Sequence, residues 1–553
     1  MRLAARRPLT LAFTLVLLAA LPLPAQTGAT QFEISVPAAA HATPITGRVF
    51  VIVSRGNAGE PRLRIGDWME ETPFFGADVS QLAPGQPATI DAATPGYPLT
   101  SLKDLPAGDY SVQALVNVYT EFQRADGHVI WGHLDQWEGQ QFNRSPGNLY
   151  SAVQQVHLDP AAGYTVKLSA DKVIPPVQPP PDTEWVKHIK LKSALLSKFW
   201  GQPIYIGATV LLPTGYAAHP EVRYPVMYDQ GHFGLGAPLG FRTQNGGGGR
   251  RGLELFQAWD SADFPRMIAV TFQHPTMYFD DSYAVNSANN GPYGDALMTE
   301  LIPYLEEHFR VLRAPYARVL TGGSTGGWES FALQVFHPDF FGGTWTFFPD
   351  PIDFRRYQMV NIYDDPNAFY APGFEWVPRE RPMMRTAAGQ VVETMRQMSQ
   401  LEAVLGSHGR SGQQFEAWEA VYGPVGADGY PVPLWDKRTG QIDRQVALYM
   451  RDHGYDLRYY LEQNWKTIGP PLTGKLHLYC GDMDNFYLNL AVYLTEDYLK
   501  NTNPPYGGSV EYGRPMKGHG WTPFTTPELV KIMAAHITQN APAGADTKGW
   551  KYQ

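Results

Sequence analysis

The chain has 553 residues, enough for two or three domains at roughly 100 to 200 residues each, and its 44% hydrophobic and 18% charged content is that of a globular protein. A net charge of -9 with no run of Lys or Arg offers no field for phosphate backbones and excludes nucleic acid as a partner. A single cysteine, Cys480, excludes an internal disulfide and a cysteine-rich zinc site.

Arg2, Arg6 and Arg7, an apolar run from Leu9 to Leu23 and small residues around Ala25 form the three-part pattern of a secretory signal over residues 1–25. The run is shorter than the roughly 20 residues a span needs, so the sequence predicts cleavage and export to a periplasm or beyond, with no membrane span in the mature chain. From 31 to 172 short strand-like runs lie between turn residues. Tyr110, Val112, Ala114, Val116 and Val118 alternate after Pro106-Ala107-Gly108-Asp109, and Gly47 to Val53 and Tyr164 to Leu168 are further strand candidates. This is the texture of an all-β sandwich. The strand entered through a Pro-x-Gly-Asp-Tyr turn resembles fibronectin- and immunoglobulin-like modules, without their disulfide.

Residues 173–185 contain Pro175-Pro176-Val177-Gln178-Pro179-Pro180-Pro181, which favours extended polyproline geometry and reads as a stiff linker. Strand-like runs then alternate with amphipathic helical runs from 186 to 540. Ile204 to Leu212, Tyr224 to Tyr228, Met267 to Phe272, Arg318 to Thr321 and Lys475 to Cys480 read as strands, and Leu297, Leu301, Ile302, Leu305 and Phe309 mark a helix. Such alternation predicts an α/β fold, a mostly parallel, doubly wound sheet covered on both faces. Residues 350–470 break the rhythm with turn residues and with Tyr357, Tyr363, Phe374, Trp376, Trp418, Tyr422 and Trp435. They read as an insertion forming a lid or substrate wall. Residues 541–553 read as a tail.

Gly322-Gly323-Ser324-Thr325-Gly326 matches a Gly-x-Ser-x-Gly nucleophile elbow, a weak signal alone and a stronger one between a strand ending near Leu320 and a helix from Trp328. The Thr325 N–H would donate to an oxyanion, and the loop after Tyr224–Tyr228 would supply a second donor from His232 or Phe233. In this fold the acid and then the base follow the serine. Gly518-His519-Gly520-Trp521 lies between the strand-like Ser509 to Tyr512 and a helix opened by Thr526-Pro527-Glu528, so His519 is the candidate base. His477 and His536 fall inside a strand and a helix. Asp482 and Asp484 both follow the strand ending at Cys480, and both remain open as the acid on the residues alone.

The Tyr-Pro-Val strand with its Gly231-His232 loop, Tyr293-Gly294-Asp295 leading into Glu300-Leu301-Ile302-Pro303-Tyr304, the elbow, and His337-Pro338-Asp339-Phe340-Phe341-Gly342 resemble the esterase family that includes enterochelin esterase and esterase D. The resemblance covers roughly 205–537 without the insertion. It implies an α/β-hydrolase fold and a serine esterase with Ser324, Asp484 and His519 as the triad, the acid being set by a Gly-x-x-Asp match to Gly481–Asp484. Gly231, Gly323 and Trp521 are expected to face the substrate. No metal or organic cofactor is required. The expected substrate is a small-molecule or carbohydrate ester, such as a carbohydrate acyl ester, a feruloyl-type ester or a siderophore lactone. A serine peptidase, or a binding protein on an unused hydrolase scaffold, are the alternative readings.

Overall fold

The computed structural model describes residues 29–56, 59–66, 72–244, 251–373 and 376–550. The signal expected at 1–25 and Phe374 lie outside them. Among the described residues no helix is long and apolar enough to cross a membrane.

Strands between Thr30 and Val173 build two larger sheets and a two-stranded hairpin. Ile45–Ser54 and Gly108–Val118 pair antiparallel at the centre of a seven-stranded sheet, and Thr30–Ser35 joins Tyr164–Ser169 and Pro87–Asp91 in a three-stranded one. The period of two divides the central strands between two cores. Val49, Val51, Val112 and Val116 face the small sheet, whereas Phe50, Ile52 and Leu115 face away from it. That second face is equally buried, because residues from beyond 350 cover it. The hairpin Thr120–Gln123 and Val129–Gly132 sends Phe122 and Ile130 into the core of the large sheet described next. Residues 174–185 carry no helix or strand.

The large sheet has eight strands: β1 Val186–Ser193, β2 Ile204–Leu211, β3 Val226–Gln230, β4 Ile268–Gln273, β5 Arg318–Gly323, β6 Gly343–Phe347, β7 Leu476–Gly481 and β8 Ser509–Gly513. Their spatial order is β1-β2-β4-β3-β5-β6-β7-β8, with β2 antiparallel to both neighbours and the remaining pairs parallel. This is the α/β-hydrolase arrangement. Register levels the carboxyl ends where a site belongs, since Gly322 of β5 pairs with Gln230 of β3 and Gly323 with Phe347 of β6.

Helix α1, Thr325–Phe336, leaves β5 directly and is buried almost throughout. Between β6 and β7 lie a hairpin, Pro382–Arg385 with Val391–Thr394, and helices α2 (Met395–Leu405), α3 (Gln414–Tyr422) and α4 (Leu457–Leu472), the last packed on α1 as a sheet-covering helix. Tyr357, Trp418, Tyr422 and Trp435 are buried with Phe50, Ile52 and Leu115 of the β-region, and Trp376 is 95% exposed. Most aromatics expected to form a substrate wall are therefore a hydrophobic core. The buried Arg48 guanidinium donates to the Val404 carbonyl at 2.7 Å, at the C-terminal end of α2, and pairs with Asp78 at 2.7 Å. A cation suits the negative end of a helix. Helix α5, Thr526–Asn540, starts from a capping box made by Thr525 and Glu528, with proline in its first turn.

Candidate active site

Ser324 sits between β5 and α1 with φ 58° and ψ -122°, a strained conformation for a residue with a side chain. The surrounding glycines explain how the turn is held. A Cβ at Gly326 would stand 2.0 Å from the Gln230 carbonyl oxygen and one at Gly322 2.2 Å from that of Gly326, so the helix start is pressed between strand ends where only glycine fits. The Ser324 N–H donates to the Phe347 carbonyl at 3.1 Å, and its own carbonyl accepts from Asp350 N at 3.1 Å. The turn is thus stitched to β6 and the loop that follows it.

His519 follows β8, and its Nδ1 lies 2.8 Å from Asp484 Oδ2. Asp484 is fully buried, and its other oxygen accepts from the N–H groups of Phe486 at 2.9 Å and Leu488 at 3.2 Å. The His519 N–H donates to Asn485 Oδ1 at 2.7 Å, while the ring meets Phe348 and Phe486 edge-on with centroids 4.6 Å and 4.8 Å away. Asp482 serves a different end: its Oδ1 accepts from Lys517 N at 2.9 Å and fixes the loop that delivers His519. Cys480, wholly buried in β7 just before these aspartates, has its thiol pushed up by burial.

Ser324 and His519 line one cavity of about 810 Å³. Three stretches of chain enclose it: Gly139–Arg144 from the β-region, Gln413–Phe415 and Trp418 from the insertion, and His232, Phe279 and Phe486 from loops of the sheet. The β-region loop is pinned by Asp135, whose carboxylate accepts from Trp137 N and Gln140 N at 2.7 Å each, and by Glu138, which meets His133 Nε2 and Ser145 Oγ at 2.8 Å. Phe233 reaches this loop, its ring stacked edge-on to Trp137 at 5.3 Å and filling the space a side chain at Gly139 would need. The loop after β3, expected to offer an oxyanion donor, is thereby braced against the β-region. Its His232 is half-exposed, and the Asp280 carboxylate 3.0 Å away holds the imidazole well above the usual histidine range.

Of the other residues expected to face substrate, Trp521 packs over Gly513 of β8, where a Cβ would stand 2.3 Å from its ring, and is not part of the cavity wall. Gly323 lies against the Phe348 ring, and Gly231 borders a shallower hollow with Asp229 and Gly234. Thr325 is buried, its side chain donating to Asp350 Oδ2 at 3.1 Å.

Asp350, absent from the sequence-derived site, is the second carboxylate beside the serine. Its Oδ1 lies 3.5 Å from Ser324 Oγ and its Oδ2 accepts from Tyr283 Oη at 2.6 Å. Trp418 Nε1 donates to the same Tyr283 oxygen at 2.6 Å, tying the insertion to the elbow. Burial raises the Asp350 carboxyl above its ordinary range, opposed by the Tyr283 and Thr325 hydroxyls that donate to it. Its position in the loop just past a five-residue strand, between Pro349 and Pro351, was the only local signal.

Residues 204–352 match the family model described as putative esterase. That segment is an esterase domain. The chain carrying it is thereby assigned to the carboxylic ester hydrolases; the match takes in Ser324 and ends before Asp484 and His519. No curated protein matches the chain. Among solved structures, a ferulic acid esterase is 17% identical with a TM-score of 0.37, covering 64% of this chain and 97% of its own. An S-formylglutathione hydrolase from Staphylococcus aureus is 13% identical at 0.30, covering 64% and 99%. An IroE-like serine hydrolase from Shewanella oneidensis is 13% identical at 0.30, covering 64% and 79%. Overlaps this loose carry no weight for the esterase domain's substrate.

Proposed function

We propose that the chain is an exported serine esterase acting through an acyl-enzyme. The observation that carries this is the strained Ser324 turn opening on the same cavity as a histidine whose Nδ1 is held by a buried aspartate. Asp484 keeps the proton on His519 Nδ1, leaving Nε2 to take the Ser324 proton as the oxygen attacks the ester carbonyl. In the resting geometry Ser324 Oγ turns toward Asp350, so a rotation of the serine side chain precedes attack. The developing oxyanion is stabilised by the N–H of Thr325, at the start of α1, with that of His232 or Phe233. His519 then returns its proton to the leaving alcohol, and water activated by the same imidazole clears the acyl group.

The cavity favours an ester with an apolar or aromatic portion and a hydroxylated portion. Phe279, Phe415, Trp418 and Phe486 line it with rings, and beside them stand the Gln141 amide and the amide oxygens of Gln140, Gln413 and Gln414, whose N–H groups are already given to Thr276, Gly66 and Tyr283. Carbohydrate esters of aromatic or branched acids fit this lining better than simple alkyl acetates. Export rests on the leader-like residues 1–25 alone.

The test is turnover of p-nitrophenyl and feruloyl sugar esters together with fluorophosphonate labelling of the mature chain. Ser324→Ala should lose activity by roughly 10⁴-fold or more and all labelling, with an unchanged thermal melt. An active Ser324→Ala enzyme sinks the proposal; labelling without hydrolysis of any ester, but with peptide cleavage, moves the chain to the peptidases.

A further inference from the structure

On the wall of the Ser324 cavity, at the loop that follows β3, lies a cluster whose side chains the proposed ester hydrolysis does not use. His232 Nδ1 is 3.0 Å from Asp280 Oδ1 and 3.3 Å from Asp281 Oδ2, and one donor atom from each residue falls within 4.8 Å of the others. Two carboxylates converging on one ring nitrogen exceed what a single N–H can satisfy. Donors roughly 2.1 Å from a common centre sit about 3.0 to 3.4 Å apart at octahedral or tetrahedral angles, and both separations from His232 Nδ1 fall in that range.

The buried side of the cluster supplies an independent sign. Glu329 of α1 is wholly buried, its carboxyl paired with that of Asp281, and neither of its oxygens accepts from an N–H or hydroxyl of another described residue. Asp281 is 1% exposed, and its Oδ2 likewise accepts none beyond the His232 contact. Among the described residues no Lys or Arg pairs with Asp280, Asp281 or Glu329. Asp280 and Asp281 thus share one half-exposed imidazole, Asp281 accepting besides from Tyr283 N at 3.0 Å, while Glu329 faces His274 Nε2 instead, 3.8 Å away. Buried carboxyl oxygens without donors are costly unless a cation or shared protons balance them. His274 is not a ligand candidate: its Nδ1 accepts from Ser282 N at 2.9 Å, which leaves the proton on Nε2, 3.8 Å from Glu329 Oε1.

We propose that His232, Asp280 and Asp281 bind one divalent transition-metal ion, with Glu329 as the buried carboxylate behind them. One imidazole among carboxylates selects zinc or manganese over calcium, whose sites are built from oxygen alone. The ion is structural. It ties the loop carrying His232 to the loop after β4 and to α1, and so fixes the backbone on the oxyanion side of the cavity; no bond of the ester passes through it.

The experiment is metal analysis and calorimetric titration of the full chain, stripped with chelator and then given ZnCl2, MnCl2 or CaCl2. The expected result is roughly one zinc or manganese ion per chain, a higher melting temperature than the stripped protein, and no response to calcium. Asp280→Asn, at the more exposed ligand, should weaken binding at least about 100-fold, and Glu329→Gln by about 10- to 100-fold, with circular dichroism reporting that each variant is folded. His519→Ala should bind as the parent does. Folded parent protein that takes up no ion and shows no thermal shift, binding unchanged by Asp280→Asn, or binding lost in His519→Ala would each overturn the proposal. Esterase activity enters none of these readouts, so the metal site can fail while the ester chemistry stands, and the reverse.

Discussion

Asp482 and Asp484 leave the same strand end two residues apart, and their side chains meet different partners. Asp484 accepts from His519 Nδ1, so Asp484→Asn presents an amide that cannot hold the imidazole in the productive tautomer; a loss of about 10⁴-fold in kcat is expected. Asp482 accepts only a backbone N–H here, that of Lys517, and the amide oxygen of Asn can accept it equally well. Asp482→Asn should stay within about 10-fold of the parent. Ester turnover by the two variants side by side checks the pair, and equal losses would remove the distinction. Spacing from Gly481 pointed to Asp484 only through a family likeness, since in sequence both aspartates follow a strand. What separates them is the ring nitrogen, a contact between residues 35 apart in sequence. Asp350 was illegible for another reason. The strand before it, Gly343–Phe347, carries Thr344 and Thr346 where a buried strand is expected to be apolar, and their hydroxyls are satisfied by each other at 3.0 Å and by Ser330 of α1 at 3.2 Å. Polar residues paired across elements defeat a reading by hydropathy.

Among the elements, α2 and α3 owe their place to a buried charge cluster as much as to their apolar faces. Lys437 Nζ lies 3.0 Å from Glu402 of α2 and 3.1 Å from Glu419 of α3. Those carboxylates hold the Lys437 ammonium above its ordinary range against the effect of burial. Removing the cation leaves two carboxylates in the interior with no counter-charge. Lys437→Met should therefore cost about 3 to 5 kcal/mol in urea unfolding, far more than a surface Lys. A loss below about 1 kcal/mol would mean that water reaches the cluster. Strand positions were legible where β-branched runs stand between turns, as in Ile204–Leu211 and Ile268–Gln273. The helix marked by Leu297 and Leu305 is present but broken into segments by a π turn at Leu297–Leu301, which hydrophobic spacing alone does not reveal.

For the molecule as a whole, the alternation along Gly108–Val118 marks one buried face of a sandwich strand, and Leu115 on the opposite face is fully buried as well. The covering residues come from beyond 350, which no local pattern can announce. Phe50, Ile52, Ile65 and Phe142 share a core with α1, α2 and α3, and Gly139–Arg144 closes one side of the cavity. A chain beginning at Val186 would leave that apolar face open to solvent. It should aggregate or run as soluble oligomers on size exclusion and fail to label with fluorophosphonate. A monomeric, labelled fragment would show that the β-region is dispensable.

The single thiol also has a use as a reporter. Cys480 is enclosed in β7 four residues before Asp484, and its neutral, buried sulfur offers no thiolate to reagents in the closed protein. Modification must wait for the sheet to part at that strand. The labelling rate at low denaturant therefore clocks the opening of the strand that leads to the acid, separately from unfolding of loops elsewhere, and with one thiol in the chain every count belongs to that event.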